Sequence, residues 1–516
     1  MVKESFIVTI LSVFLSIFGF LSQMLIAMFF GASNGLDIYL TLTSVPVLIS
    51  SLIVTALSYF LTPFLVKSKI KLGTENSVFL THLLIKILLI SILISIFGYI
   101  IFNTFLIDIF NNIKPYNENT SKYISFIAWA TIPFTIFSGF TTCQFISKKK
   151  FITPVFLSFF PYFFSIILVF FYNRNLGVLS LSIGLFSGTF FAAISGFLFL
   201  LSDFSFGKKS FEINNLIKTF LKKLPTAALA MLCFTIFQSI DAYWANKLGP
   251  SNLSYLGYAQ RIIIALGAIV ITAPSSIMTP RITESLENKN YNNFAKEVKL
   301  IITLVISLGS MIALIVSIFA FKVVNVLLVR GLFTNSDAQK VATILPYMLI
   351  GMVFMLVVVI IFRILFVKND VAFVALMGCV SVIFYYTFSG LAVYFNSLTG
   401  ICIGYIINWF VLFLMSIRRL FDIKFKNFIN KEMIKFLFKL ISNLTLTGLS
   451  LFFGKQIISN YLNTTSFFSS LLILLFTFTF GTIIFFIFGL LFKQYEIIFL
   501  IKNVFSFVLN KKEKRV

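Results

Sequence analysis

The sequence Gly31-Ala32-Ser33-Asn34 recurs later in the chain as Gly249-Pro250-Ser251-Asn252. Each copy follows one apolar segment and precedes a second, which ends on Thr-Pro at residues 62–63 and 279–280. A chain that repeats the same apolar hairpin in its two halves is typical of membrane transporters, in which the substrate site lies between related halves. The repeat therefore predicts two homologous lobes. Residues that differ between the two copies become candidates for function.

The composition indicates that most of the surface lies in lipid. Of 516 residues, 59% are hydrophobic, 69 are phenylalanine and only 11% are charged, which is too apolar for one soluble core. A membrane span needs about 20 apolar residues, and it must be helical here because the alternation of a β-barrel strand is absent. The sequence predicts fourteen spans, at roughly 5–30, 38–66, 79–104, 123–147, 151–172, 177–201, 224–246, 256–280, 299–321, 341–367, 371–394, 398–417, 436–454 and 467–492.

The predicted fold is therefore an all-α polytopic membrane protein with two six-helix lobes and two further helices. The first lobe covers residues 1–202 and the second covers residues 224–418. Between them, residues 203–223 carry apolar side chains at helical spacing with lysines on the opposite face. This pattern indicates either an amphipathic helix on the cytoplasmic surface or a simple tether. Residues 419–516 contain the last two spans and a basic tail.

Basic residues predict the orientation of the chain. Most of its 41 lysines and arginines fall in loops on the side that carries both termini, and the positive-inside rule assigns that side to the cytoplasm. The net charge of +24 is spread over many short loops instead of forming one groove. It therefore indicates contact with anionic lipid head groups and not with nucleic acid.

The sequence contains no complete motif for catalysis or for a cofactor. Residues 31–35 match the pattern G-x-S-x-G, but they end a membrane helix, and the only histidine, His82, lies in another span. A glycine-rich phosphate loop, a His-Glu-x-x-His motif and a Cys-x-x-Cys motif are all missing from the sequence. We expect a protein that is not an enzyme and that uses no cofactor or metal.

Polar and ionisable residues within the spans are the candidates for a substrate site. A charge at mid-membrane costs about 2.5–3.5 kcal/mol and normally faces a bundle interior or water. Arg261 begins the eighth span and Asp241 lies late in the seventh, so they either face a cavity or form an ion pair that joins the two helices. The first copy of the repeat has Gln23 in place of Asp241. Arg363 either pairs within its lobe or extends to the interface, and Asp37 is expected to cap the second span.

Arginine in a water-filled cavity favours anions. Its planar guanidinium donates two parallel hydrogen bonds to adjacent oxygens, which suits phosphate best. An exporter of organic cations would instead need carboxylates in that position. Arg261 therefore favours an anionic head group as the substrate.

Several of these segments resemble the MurJ/MviN family of the multidrug/oligosaccharidyl-lipid/polysaccharide exporter superfamily. The similar segments are residues 17–20, 27–32 followed by Asp37, 258–261 with the Thr-Pro at 279–280, and 330–334. The resemblance covers most of the chain. It implies two six-helix lobes around a central cavity and two extra helices that form a groove for a lipid tail. The implied activity is outward flipping of lipid II, the undecaprenyl-pyrophosphate-linked peptidoglycan precursor, in the bacterial inner membrane.

The resemblance also implies roles for individual residues. Arg261 is similar to the family's essential cavity arginine, and Asp37 is similar to its acidic residue in the second helix. Three further arginines that are typical of the family correspond to Ser16, Ser22 and Ser50 in this sequence. Two substrates therefore remain open, lipid II and another polyprenyl-linked saccharide.

The resulting hypothesis is a flippase that works by alternating access. Arg261 would hold the pyrophosphate, and Asp37, Asp241, Gln23 and Arg363 are the other candidate substrate contacts. The membrane potential or a coupling ion would drive transport, since no nucleotide site is present. One alternative is a cation-coupled drug or metabolite exporter of the same superfamily, with the two aspartates as ion sites. Another is a non-transporting scaffold that recruits glycosyltransferases through its basic loops.

Overall fold

The computed structural model describes residues 2–106, 118–207, 210–287, 291–367, 370–422, 431–461 and 467–498. Within these ranges the long elements are all helices, and none of the residues forms a strand. The basic C-terminal tail lies outside the described residues.

Eighteen α-helices follow one another through the described ranges. They are α1 (Val2–Phe30), α2 (Asn34–Leu72), α3 (Asn76–Ile101), α4 (Glu118–Ser147), α5 (Ile152–Leu157), α6 (Phe159–Leu176), α7 (Leu179–Leu198), α8 (Phe211–Ala230), α9 (Leu232–Thr235), α10 (Phe237–Lys247), α11 (Asn252–Glu287), α12 (Tyr291–Ile318), α13 (Ala320–Leu328), α14 (Asn335–Val367), α15 (Val371–Tyr394), α16 (Leu398–Asp422), α17 (Lys431–Tyr461) and α18 (Phe467–Leu491).

The structure confirms the predicted class of helical membrane protein. Twelve helical segments of the described chain are long and apolar enough to cross a membrane. The first of the two other predicted spans corresponds to α1, whose apolar part is Phe14–Phe30. The seventh, predicted at 224–246, is divided among the end of α8, the short α9 and α10. The Thr235 hydroxyl donates to the carbonyl of Met231 at 3.2 Å, a bond that competes with the helix ladder at this interruption.

The helices group into two compact units. Unit 1 contains residues 1–257, 328–337 and 371–401, and unit 2 contains residues 258–327, 338–370 and 402–516. These units follow contacts between helices, so they cut across the predicted repeat boundary: unit 1 joins α1–α7 with α8–α10 and α15. The two lobes defined by the repeat stay a prediction.

Glycines set the closest helix packing of unit 1, where α6 and α7 lie side by side. A β-carbon on Gly188 would lie 2.4 Å from the Cα atom of Pro161, and one on Gly184 would lie 2.7 Å from the Cα atom of Ser165. Because both positions are glycine, the two backbones are in direct contact, as in small-xxx-small pairs of membrane helices.

The predicted amphipathic connector is helical and forms the first part of α8. Its apolar residues Ile213, Ile217 and Phe220 are fully buried, and the Phe220 ring packs on Phe60 and Phe64 of α2. The apolar face of this helix is therefore not exposed to lipid, and the position of the helix on the cytoplasmic surface stays a prediction. That face is covered by protein, because α2 and α15 both pack against it.

In unit 2, α17 and α18 lie side by side and both contact α12. Two aromatic residues of α16 lie deep in the unit: Trp409 is 1% exposed, and Tyr405 packs against Gly351 of α14. This unit carries Arg261 on α11 and Arg363 on α14.

Candidate functional site

The turn between α1 and α2 is shaped by Gly31 and Ser33. Gly31 has a φ of +56°, a conformation that disfavours other residues. A β-carbon there would lie 2.7 Å from the carbonyl oxygen of Leu332. Ser33 is the N-cap of α2, and its hydroxyl accepts a hydrogen bond from the Leu36 N–H at 3.4 Å. The first copy of the repeated sequence thus ends one helix and starts the next.

Asp37 joins the first copy of the repeat to the second. One of its carboxylate oxygens accepts hydrogen bonds from the Ser254 N–H, at 2.8 Å, and from the Ser254 hydroxyl. The expectation that Asp37 caps its own helix is therefore wrong: Ser33 caps α2, and Asp37 caps the first turn of α11, where backbone N–H groups lack helical partners. Asp37 is 1% exposed. Its second carboxylate oxygen is buried and has no hydrogen-bond partner among the described residues.

Two further contacts tie the repeated hairpins together. The Ser251 hydroxyl, in the second copy, donates to the carbonyl of Ala32 in the first copy at 2.7 Å. The Asn246 amide donates to the Thr41 hydroxyl at 2.8 Å, and that hydroxyl donates in turn to the main-chain carbonyl of Asp37. The equivalent turns of the two copies are therefore held in one polar cluster within unit 1.

The segment at 330–334 lies beside the same turns. The Leu332 N–H donates to the carbonyl of Met28, near the end of α1, at 2.9 Å. Asp337 accepts hydrogen bonds from the Thr334 N–H, at 2.9 Å, and from the Tyr255 hydroxyl, at 2.9 Å. Because Tyr255 belongs to α11, this second aspartate also fixes the start of α11.

Asp241 is held by a tyrosine. It lies on α10, is 1% exposed, and its carboxylate accepts a hydrogen bond from the hydroxyl of Tyr385 on α15, which is equally buried. Gln23 is half-buried on α1. Both of these candidate residues belong to unit 1.

The two arginines belong to unit 2 and have a different environment. The Arg261 side chain is exposed on α11, whereas Arg363 is half-buried on α14. Neither makes an ion pair or a hydrogen bond with a described residue of its own unit. Their guanidinium groups are therefore available for an anionic ligand, which is the chemistry predicted for Arg261.

Sequence reasoning missed the partners of the acidic residues. Ser254, Tyr385 and Asp337 were not predicted, although Ser254 lies only two residues beyond the second copy of the repeated sequence. That proximity was a usable signal for a contact between the two turns. Tyr385 gave none, because a tyrosine in an apolar span has the same pattern whether or not it holds a carboxylate.

The fold and these residues define a polytopic membrane transporter with an internal repeat. In the part of the chain that is described, no group of three metal-ligating side chains occurs. The sequence profile of the family described as lipid II flippase MurJ matches residues 26–495. The chain belongs to this family of flippases, which confirms both the resemblance and the predicted flippase function.

Individual relatives are distant but cover much of the chain. A probable lipid II flippase MurJ of Buchnera aphidicola subsp. Baizongia pistaciae (strain Bp) is 24% identical over 347 residues, which are 65% of this chain and 67% of the relative. The solved structure of a lipid II flippase MurJ in an inward closed conformation has a TM-score of 0.72 at 18% identity, covering 93% of this chain and 98% of that one.

A second solved structure places the fold in a wider group. It is the inward-facing conformation of a multidrug resistance MATE family transporter of the MOP superfamily, with a TM-score of 0.66 at 14% identity, covering 80% of this chain and 95% of that one. At these identities the structures show a shared fold. The assignment to the flippase family comes from the sequence profile.

Proposed function

We propose that this chain moves a polyprenyl-pyrophosphate-linked saccharide, with lipid II as the first candidate, from the cytoplasmic to the outer leaflet of the bacterial inner membrane. Family membership supports the lipid-linked substrate. Alternating access of two related lobes is the mechanism that the internal repeat favours. The distribution of lysine and arginine supports cytoplasmic termini.

The availability of Arg261 carries the proposal. Asp37 and Asp241 are both 1% exposed and hydrogen-bonded, whereas Arg261 is exposed and has no partner among the described residues of its unit. A guanidinium in a membrane span is costly unless it meets water or an anion. The oxygens of a pyrophosphate supply paired acceptors of the right geometry.

The remaining candidates take two kinds of role in this proposal. Arg363 and Gln23 are half-buried and contact the phosphate and the saccharide. Asp37 and Asp241 act through Ser254 and Tyr385, so they are positioning residues that keep the surrounding helices in place. The family arginines that are absent at Ser16, Ser22 and Ser50 leave the phosphate more dependent on Arg261.

The membrane potential is the proposed driving force. Export of an anion is downhill in a potential that is negative inside, and one charge crossing 100 mV gains about 2.3 kcal/mol. The cation-coupled exporter is less favoured, because such a site needs accessible carboxylates and both aspartates are buried and hydrogen-bonded.

The test replaces Arg261 in purified protein reconstituted with a fluorescent lipid II. Arg261→Ala should abolish the movement of the label to the opposite leaflet, read as accessibility to an impermeant quencher. Arg261→Lys should retain part of the activity, because lysine keeps the charge but loses the bidentate geometry. The matched control is Arg174→Ala, which removes an exposed arginine at the end of α6 and should leave transport unchanged.

Three outcomes separate the hypotheses. Full transport by Arg261→Ala, with normal membrane insertion, would contradict the assigned role of this arginine. Failure of the unchanged protein to move lipid II while it moves another polyprenyl-pyrophosphate saccharide would keep the flippase and change its substrate. No movement of any labelled lipid would favour the scaffold.

A further inference from the structure

Unit 2 contains a charged cavity that the proposed transport function does not use. Its volume is about 690 Å³, and it lies between the first turns of α12, the first turns of α17 and the turn that follows α18. The ionisable residues that line it are Lys296, Lys299, Lys435, Lys439, Lys493, Glu297, Glu432 and Glu496. The lysines outnumber the glutamates by five to three, so the cavity carries an excess of positive charge.

Two of the five lysines already have partners. The ammonium group of Lys299 lies 2.6 Å from the carboxylate of Glu432, and that of Lys439 donates to the carbonyl of Lys493 at 3.1 Å. Within the described chain, the side chains of Lys296, Lys435 and Lys493 make no hydrogen bond and no ion pair within 4 Å, although the charge of Lys435 also acts on Glu432. Three ammonium groups are thus available at one cavity.

A buried amide adds a neutral donor to these cations. Gln494 is 1% exposed, and its Oε1 atom accepts a hydrogen bond from Asn443 at 3.3 Å. That bond fixes the side chain with its Nε2 donor buried and without a partner among the described residues. A buried donor without an acceptor is unfavourable, and here it lines the same cavity as the free lysines. An anionic acceptor would satisfy this amide donor and neutralise the nearby lysines at the same time.

The turn that carries Gln494 has a fixed geometry. The N–H groups of Gln494 and Lys493 donate to the carbonyls of Gly489 and Leu490, at 2.9 and 3.0 Å, which is the Schellman pattern at the end of α18. Lys493 occupies the left-handed position of this motif, with a φ of +50°, where glycine is normally preferred. The backbone of Lys493, which lines the cavity, is therefore fixed in this turn despite that cost.

The apolar surface of α17 indicates that the anion belongs to a lipid. This helix is a membrane span, and Ile434, Phe438 and Ile441 are 60%, 74% and 59% exposed. They lie on the same turns of the helix as Lys435 and Lys439. Acyl chains can therefore cover this surface while the head group enters the cavity.

We propose that this cavity binds the head group of phosphatidylglycerol from the adjoining leaflet. Lys435, Lys493 and the Gln494 amide hold the phosphate diester. Glu297, whose Oε2 atom is buried without a partner in the described chain, accepts a hydrogen bond from a glycerol hydroxyl. The site lies at the end of α17 that the charge distribution assigns to the cytoplasm, where basic pockets between helices bind anionic lipids.

The test measures lipid binding to the full-length protein by native mass spectrometry and by fluorescence quenching in mixed micelles. The variant combines Lys296→Gln, Lys435→Gln and Lys493→Gly, the last of which also gives the turn its preferred residue. Each lysine near an anionic head group contributes about 1 kcal/mol, or about a fivefold factor in affinity, so removing three lysines should weaken binding of phosphatidylglycerol by about 100-fold. The control is Lys218→Gln, which removes an exposed lysine of α8 and should change affinity by less than twofold.

Three results would overturn the proposal. Equal binding of phosphatidylethanolamine and phosphatidylglycerol by the unchanged protein would show that net charge does not select the ligand. Unchanged phosphatidylglycerol affinity in the triple variant would remove the site. Displacement of the lipid by millimolar inorganic phosphate would make a soluble anion the occupant. Because lipid binding is read without transport, a failure here leaves the role of Arg261 untouched.

Discussion

The contact between Asp37 and Ser254 gives a quantitative prediction about how the two copies of the repeat are joined. Ser254→Ala removes the hydroxyl donor and leaves the carboxylate with the backbone N–H alone. Asp37→Ala removes the acceptor and leaves that N–H unpaired. We expect both variants to lower the free energy of unfolding of the protein in mixed micelles.

The size of the effect follows from the burial and charge of the pair. Both residues are 1% exposed, and hydrogen bonds to a charged group contribute about 1.5–3 kcal/mol. The coupling energy from a double-mutant cycle should therefore be about 1.5–3 kcal/mol. Asp37→Asn keeps an acceptor oxygen but makes a neutral hydrogen bond of about half the strength. Its free energy of unfolding should therefore lie between those of the wild type and Asp37→Ala.

The assay is a titration with sodium dodecyl sulfate in mixed micelles, followed by circular dichroism, for the two single variants and the double variant. Ser442→Ala serves as the matched control, because among the described residues its hydroxyl donates only to the carbonyl of Phe438 in its own helix. Combined with Asp37→Ala, it should be additive. A coupling energy between Asp37 and Ser254 below about 0.5 kcal/mol, the usual limit of additivity, would refute the idea that this hydrogen bond joins the two copies of the repeat.

Two further predictions concern packing and pH. Gly188→Ala should lower the free energy of unfolding by about 1–3 kcal/mol, because its β-carbon would meet the backbone of Pro161. Its control in the same unfolding assay is Gly257→Ala, whose β-carbon would lie 3.5 Å from a Leu40 methyl and which should be neutral or stabilising. Burial and the nearby Lys455 lower the pKa of Lys322 below its ordinary value. As pH increases, the folded state therefore releases this proton before the unfolded state does. The free energy of unfolding should rise as pH increases through the pKa of the folded state. Lys322→Gln should raise the melting temperature at neutral pH, and the melting temperature of this variant should increase less towards pH 10 than that of the unchanged protein. The same dependence of melting temperature on pH in both proteins would contradict this assignment.

The sequence predicted the helical segments well because hydrophobic length alone determines which segments can enter lipid. It failed at residues 224–246, where the span is interrupted at Met231 and Ile236. Composition does not reveal such a break, because the interrupted segment stays apolar on both sides of it. The partner of the apolar face of α8 could not be predicted for a related reason: helical periodicity shows that a face is apolar, but it does not distinguish lipid from protein as its partner.

The candidate site was predicted only in part. Charge in an apolar span was enough to single out Asp37, Asp241 and Arg261, because each is costly there. The partners of the aspartates are tertiary contacts between segments more than a hundred residues apart, and one sequence carries little information about them. The Gln494 cavity was missed entirely, since its residues come from two helices and the turn after a third, and none forms a motif.

The glycine contacts between α6 and α7 limit where this protein can deform. Because the two backbones are in direct contact, α6 and α7 cannot slide past each other without losing these contacts. We therefore expect the pair to move as one rigid body. Flexing has to be concentrated at elements such as the short α9, where consecutive helical pieces are already uncoupled. Substitutions that add bulk at these glycines should loosen the contact between α6 and α7 and slow transport, even though they change no substrate-binding residue.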